Sequence, residues 1–332
     1  MMHDSAMGSA IEATDLVKTY RGGVKALDGV NVLVDPGRIF GLLGSNGAGK
    51  STVIRILITL TRPDRGTARV AGYDVLREPA QVREAVGVVG QKHGADPDAT
   101  GWENLMLQGH MHGLSGRSLR GRASELLDRF GLSSSARRVV RGYSGGMQRR
   151  LDIAMGLVHR PAVLFLDEPT TGLDPEMRTG LWQEITRLNS EEKLTIVLTT
   201  HYLEEADRLA DRVAIIDQGK VIAEGSPEEL KSGIRGDSIH VELAEPWAEG
   251  AIIPALTRVE GCDDVAVTGA WARARVVNGA RAIPDVLAAL ESRGIKAVSV
   301  TVTRPSLDDV FLRITGKSLD RGRFASTAEE SR

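Results

Sequence analysis

Between residues 11 and 234, short apolar runs alternate with longer segments of helical character, the pattern of an α/β domain. Ile39-Phe40-Gly41-Leu42-Leu43 is a run of buried-strand type that passes straight into a glycine-rich loop, and Ser51 to Leu60 predicts a helix behind it. Val86-Gly87-Val88-Val89 predicts another strand, followed by a polar break from Gln91 to Ala99. Residues 101–160 read as mostly helix, and strand character resumes at Val163–Leu166, Thr195–Thr199 and Val213–Ile216. The expected core is a mixed sheet with a helical subdomain, about residues 101–160, set between a glycine loop and an acid-ended strand.

Beyond Gly233 the pattern changes. Ile239–Leu243, Ile252–Arg258, Val265–Val267, Ala272–Val277, Ile283–Ser292 and Ile295–Val302 read as strand, helix, strand, strand, helix, strand. That order predicts a small α+β unit of ferredoxin-like type over residues 235–316. Behind Pro305 a closing helix is expected over Ser306–Ile314, with Ser306 as N-cap and Asp308 and Asp309 in its first turn. Residues 1–10 and 317–332 are polar and expected to be disordered.

Composition narrows the field mainly by exclusion. The 332 residues carry a formal net charge of -2, so no overall field draws the chain to nucleic acid or an anionic membrane. One cysteine, Cys262, allows no internal disulfide and fits a reducing compartment. The first ten residues lack the cationic start and apolar run of a signal peptide. No apolar stretch reaches the roughly 18 residues that would cross a bilayer. Any transport role therefore implies a separate membrane-crossing chain. No internal repeat is evident, so one nucleotide domain per chain is expected.

Two motifs carry chemistry on their own. Gly44-Ser45-Asn46-Gly47-Ala48-Gly49-Lys50-Ser51-Thr52 fits the phosphate-loop pattern between an expected strand and helix. Its glycines let backbone N–H groups converge on phosphate oxygens, and the helix adds its positive end. Lys50 should reach the β- and γ-phosphates of ATP, and Ser51 should coordinate Mg²⁺. The strand Val163–Leu166 delivers Asp167 and Glu168 to its C-terminal edge, where α/β sheets bind ligands. Successive residues point opposite ways, so Asp167 would hold Mg²⁺ through water while Glu168 orients and deprotonates the attacking water.

With those residues in hand, the chain resembles the ATP-binding cassette (ABC) ATPases. Tyr143-Ser144-Gly145-Gly146-Met147-Gln148 is similar to that family's signature loop, and Thr171-Gly172-Leu173-Asp174 to the loop after its acid strand. His201 follows the strand Thr195–Thr199 where the family carries its switch histidine. Gln91 follows Val86–Val89 where the family carries a glutamine that senses Mg²⁺ and the membrane partner. Tyr20 matches the aromatic that stacks on adenine. Tyr143 to Pro175 and the segment Pro305 to Leu312 look most like the daunorubicin/doxorubicin resistance type, the ATPase subunits of drug and lipid exporters. The cassette resemblance spans about residues 11–234, and the C-terminal unit adds the exporter-type likeness. Tyr143 stands where Leu is common, Met147 where Gln is common, and Ser45 where Pro is common.

The resemblance implies an ATPase built as a homodimer. Lys50, Ser51, Asp167, Glu168, Gln91 and His201 of one chain would face Ser144, Gly145 and Gly146 of its partner across the γ-phosphate. Gln91 would join Ser51 and Asp167 at the metal, and Asp174 would bridge the two sites. The chain would sit on the cytoplasmic face of the membrane, docked on an integral permease. Two other readings remain open: an importer ATPase with a regulatory C-terminal domain, and a cassette protein that acts on ribosomes or DNA without transport. Against the latter, Arg137, Arg138, Arg141, Arg149 and Arg150 read as a charged helix surface, and the groove lacks stacking aromatics beyond Tyr143, so no nucleic acid is expected. His110 and His112 lie two apart on an expected helix, so they do not face each other as metal ligands would, and a solvated helix face is expected there instead.

Overall fold

The structure, a computed structural model, describes residues 8–234 and 236–315. The chain divides into two compact units, the first ending at Pro227 and the second starting at Glu228. The sequence pattern predicts the boundary between residues 234 and 235. The stretch between belongs with the second unit, where Arg313 Nη1 donates to Gly233 O at 2.9 Å. The expectations for residues 1–7 and 317–332 lie outside the described residues. Ala10, by contrast, is buried and accepts a hydrogen bond from the Ala71 N–H at 2.8 Å.

The first unit contains two sheets. One is antiparallel, in the order Lys25–Val34, Ile11–Thr19, Arg65–Val70, Tyr73–Asp74. The other has six strands, in the order Lys220–Gly225, Arg212–Asp217, Ile39–Leu43, Thr195–Thr200, Val163–Asp167, Val86–Val89. Its first pair is antiparallel and the remaining pairs are parallel. Parallel strands are covered on both faces and so become continuously apolar, as in Ile39–Leu43, where every residue is buried. Ile11, Leu27, Val30 and Val70 of the first sheet share one buried cluster with Phe40, Phe165 and Val197 of the second. Val53, Ile56 and Leu57 of the helix Lys50–Leu57 belong to the same cluster, which fixes the helix that follows the glycine loop.

That helix ends three residues earlier than its sequence predicts. Thr59 turns left-handed at φ 67, and the N–H groups of Leu60 and Thr61 close back on Arg55 O at 2.8 and 3.0 Å, the wrap of a helix C-terminus. Between the strands Val86–Val89 and Val163–Asp167 lie the helices Gly101–Met111, Gly116–Arg129 and Gly145–Gly156. Thr100 and Glu103 close a capping box at the first of these.

The second unit carries the strands Asp237–Leu243, Cys262–Thr268, Trp271–Val276 and Ala297–Thr303 with the helices Glu249–Leu256 and Gly279–Glu291. The sheet order, second-third-first-fourth with every neighbour antiparallel, is ferredoxin-like. Ile239, Val241, Ile252, Leu256, Val286 and Leu290 form its core. A last helix, Leu307–Thr315, opens with Ser306 and Asp309 exchanging side-chain and backbone hydrogen bonds.

Candidate functional site

Four neighbouring parallel strands end at one edge of the six-stranded sheet, and each delivers a different group there. Ile39–Leu43 runs into the glycine loop, Thr195–Thr200 into His201, Val163–Asp167 into Glu168, and Val86–Val89 toward Gln91. This is the carboxyl edge at which open α/β sheets hold ligands.

The loop's shape depends on missing side chains. A Cβ on Gly44 would meet Ile216 O at 2.3 Å, and one on Gly49 would meet Ala26 O at 2.6 Å. Gly49 also sits at φ 117, a backbone region that side chains disfavour. It leads directly into the helix Lys50–Leu57, and the first amides of a helix have no acceptor within it. Ser45 O accepts the Ala48 N–H at 3.1 Å, which closes a turn within the loop, and Ala48 O accepts the Gly219 N–H at 2.9 Å, which ties it to a neighbouring turn. Asn46 and Gly47 lie exposed at its crest.

Lys50 is 4% exposed. Its Nζ donates to Gly44 O at 2.7 Å and Ser45 O at 3.2 Å, and lies 3.7 Å from Glu168 Oε1. Burial lowers its pKa, against the pull of the Glu168 and Asp167 carboxylates. Asp167 Oδ1 accepts from Thr199 Oγ1 at 2.6 Å and from Ser51 Oγ at 3.4 Å. Glu168 takes the left-handed φ of 47, a conformation that costs about 1–3 kcal/mol for a residue with a side chain. Its N–H is held by Thr199 O at 3.1 Å and Thr199 Oγ1 at 3.0 Å. His201 Nδ1 approaches Glu168 Oε1 at 3.4 Å, without the alignment of a hydrogen bond. Lys50, Ser51, Asp167, Glu168 and His201 thus form one contact chain.

Other expected residues are placed differently. Tyr20 follows the strand Ile11–Thr19, half-buried, with its Oη 3.5 Å from Thr52 Oγ1 and Lys18 Nζ 5.9 Å from its ring centre. Gln91 is exposed, two residues past its strand. Ser144 is the N-cap of the helix Gly145–Gly156, its hydroxyl accepting from Met147 N–H at 3.3 Å. A Cβ on Gly146 would strike Met177 Sδ at 2.2 Å, whereas Gly145 faces open space. Asp174 caps the helix Pro175–Glu192 through Met177 N–H at 2.8 Å and is exposed. Tyr143, in the place of a leucine, is buried and donates its phenol to Ser135 O at 2.7 Å.

Two readings need correction. Arg149 is not part of a charged surface: it is 4% exposed and donates from Nε to Pro169 O at 2.8 Å and from Nη1 to Gly90 O at 2.6 Å. His112 is not simply solvated either; its ring stacks on His159 at 3.7 Å. Neither contact has a local sequence signal, because each joins segments far apart in the chain. Sequence reasoning also missed Thr199, whose hydroxyl and carbonyl fix both acids, and Glu205, fully buried against Trp182 Nε1 at 3.2 Å. Burial pushes the Glu205 carboxyl up.

A phosphate loop beside a paired acid and a histidine is the working edge of a nucleotide-hydrolysing P-loop domain. The chain belongs to the ATP-binding cassette family: the model described as ABC transporter matches residues 27–171, and that of the ATP-binding protein DrrA1-3-like C-terminal domain matches residues 225–315. Daunorubicin resistance ATP-binding protein DrrA3 of Streptomyces coeruleorubidus is 47% identical, covering 93% of this chain and 96% of its own. Nod factor export ATP-binding protein I of Paraburkholderia xenovorans is 40% identical over 94% of this chain and 98% of its own. A solved dimeric ATP-binding cassette in a post-hydrolysis state, bound to ADP and phosphate, matches with a TM-score of 0.60. It is 28% identical and covers 65% of this chain and 98% of its own. The chain is thus an ATP-binding, ATP-hydrolysing cassette.

Proposed function

We propose that this chain is the ATP-hydrolysing subunit of an export transporter, driving drugs, antibiotics or lipids outward through a separate permease. The observation that carries the hydrolytic part is the contact chain from Lys50 through Glu168 to His201. The outward direction draws on the relatives named for drug resistance and Nod factor export. Among the described residues no helix is long and apolar enough to cross a membrane, consistent with a peripheral subunit at the cytoplasmic face and a distinct membrane partner.

Lys50 and the loop amides bind the β- and γ-phosphates, and the ring of Tyr20 carries the adenine. Ser51 Oγ and Asp167 Oδ1 converge to 3.4 Å, a pair of hard oxygen ligands that suits Mg²⁺, which takes few protein ligands beside phosphate and water. Bound there, the ion would neutralise charge on the phosphate oxygens. Gln91, delivered by the adjoining strand, completes that side. Glu168 orients and deprotonates the attacking water, and His201 steadies its carboxylate while meeting the γ-phosphate. Ser144, Gly145 and Gly146 open a helix at the surface, and their positive end serves the nucleotide of a second copy. Asp174 lies at the same seam. The helical subdomain conveys closure of the homodimer to the permease.

Glu168→Gln mixed with MgATP should elute as a dimer, and adding Ser144→Arg should return it to monomer. A dimer that persists with Ser144→Arg would remove the shared-site reading. Cross-linking in native membranes should capture a polytopic partner.

A further inference from the structure

We infer that Arg149 and Asp152 are positioning residues through which the helix headed by Ser144 sets Gln91 and Glu168 of its own chain. The inference deepens the proposed function, since it rests on Gln91 completing the Mg²⁺ side of the site and Glu168 preparing the attacking water.

The two side chains stand three apart on the helix Gly145–Gly156 and are both buried, at 4% and 6% exposure. Arg149 reaches across two loops at once. Its Nη1 donates to Gly90 O, immediately before Gln91, at 2.6 Å; its Nε donates to Pro169 O, immediately after Glu168, at 2.8 Å. Nη2 lies 3.4 Å from Asp167 O. Asp152 takes the far side of the glutamine loop. Its Oδ1 accepts from Gly94 N–H at 2.9 Å and Ala95 N–H at 3.3 Å, and its Oδ2 from His93 Nδ1 at 2.6 Å. Gln91 therefore sits between two anchor points, both on one helix.

That helix has little freedom of its own. A Cβ on Gly87 would meet Gly156 O at 2.2 Å, so its C-terminal end lies directly on the strand that leads to Gln91. At the other end Gly146 packs on Met177 in the first turn of the helix that follows Asp174. A guanidinium fork is suited to this work, because its planar donors can hold several carbonyls in fixed directions, which an ammonium cannot. A helix start that grips the partner's phosphate is thereby wired, by hydrogen bonds, to the base and glutamine of its own site. Each chain could thus register through this helix whether the opposite site is filled.

The test uses Arg149→Lys, Arg149→Met, Asp152→Asn and Asp152→Ala in the full chain. Turnover, KM for MgATP, melting temperature and ATP-driven dimerisation in the Glu168→Gln background are all measured. Both Arg149 variants should lose about 10- to 100-fold in kcat, as expected when catalytic groups are displaced by about an ångström. Their KM and dimerisation should stay close to those of the parent protein. Asp152→Asn keeps an oxygen for the two amides and should stay active, while Asp152→Ala should not. Wild-type kcat in Arg149→Met, or a loss matched by an equal loss of folded, dimerising protein, would overturn the inference. Should the Arg149 variants fail to fold, equal kcat for Asp152→Asn and Asp152→Ala would overturn it instead. Failure of the underlying assignment shows separately, as undiminished hydrolysis by Glu168→Gln alone.

Discussion

Lys50 Nζ lies 3.7 Å from Glu168 Oε1, and both side chains are nearly closed to solvent. Under the proposed function the lysine would bind phosphate and the glutamate handle water, so two functions would meet in one buried contact yet stay separable by mutation. Glu168→Gln should cut turnover by at least about 100-fold, the scale of a lost general base, while leaving ATP affinity largely intact. Lys50→Ala should instead lose ATP affinity itself. Phosphate release and equilibrium nucleotide binding, measured on both variants, separate the outcomes. Matching profiles for the two variants would contradict this division of labour.

Tyr20 offers its ring at the end of a strand, beside Lys18 and Thr52. Stacking of an aromatic on a base contributes about 1–3 kcal/mol, so Tyr20→Ala should raise KM for ATP by about tenfold. Tyr20→Trp keeps a stacking face and should restore it, with kcat little changed in either variant. Steady-state kinetics would expose an unaltered KM in Tyr20→Ala, which would remove the adenine role.

Asp167 shares one oxygen between Thr199 and Ser51. Chelation of divalent cations should abolish turnover, and Asp167→Asn should shift the Mg²⁺ activation midpoint upward by about tenfold or more, as loss of a charged ligand weakens a hard-ion site. A Mg²⁺ titration of phosphate release reads both effects. An unmoved midpoint in the variant would place the ion elsewhere.

Burial, aided by the neighbouring ring of His112, holds the His159 imidazole down at about 4, against an ordinary value of 6.5. Its Nε2 lies 3.0 Å from Val86 O. The unfolded chain therefore binds a proton that the folded chain refuses. The resulting stability is complete above the unfolded value and drains away as pH falls toward the folded one. His159→Gln retains a donor for Val86 and should flatten the decline in melting temperature across that window. Identical pH profiles for parent and variant would show that acid sensitivity arises elsewhere.

The sequence made the phosphate loop legible because its chemistry depends on consecutive residues, and the same holds for the acid pair at the end of an apolar strand. The capping pair Ser306 and Asp309 could be read for the same local reason. The six-element order of the second unit was also visible, since its strands and helices each switch apolar period cleanly. Boundaries were less so. The helix after the phosphate loop closes at Leu57 because Thr59 accepts a left-handed turn, and no residue type there announces it. Arg149 shows the sharper limit: in the sequence it stands beside Arg150 and close to Arg137, Arg138 and Arg141, as on a charged surface, yet three carbonyls from two distant loops draw it inside. Its burial is a property of tertiary packing, which periodicity along one helix cannot encode.

The phenol of Tyr143 occupies the space beside Gly101, where a Cβ would come within 2.5 Å of its oxygen. Tyrosine and glycine at these two positions are therefore halves of one fitted joint. A signature loop grafted from a leucine-bearing relative would leave a gap, with Ser135 O stripped of its donor. Exchange of recognition loops among such subunits has to carry the first turn of the neighbouring helix with it.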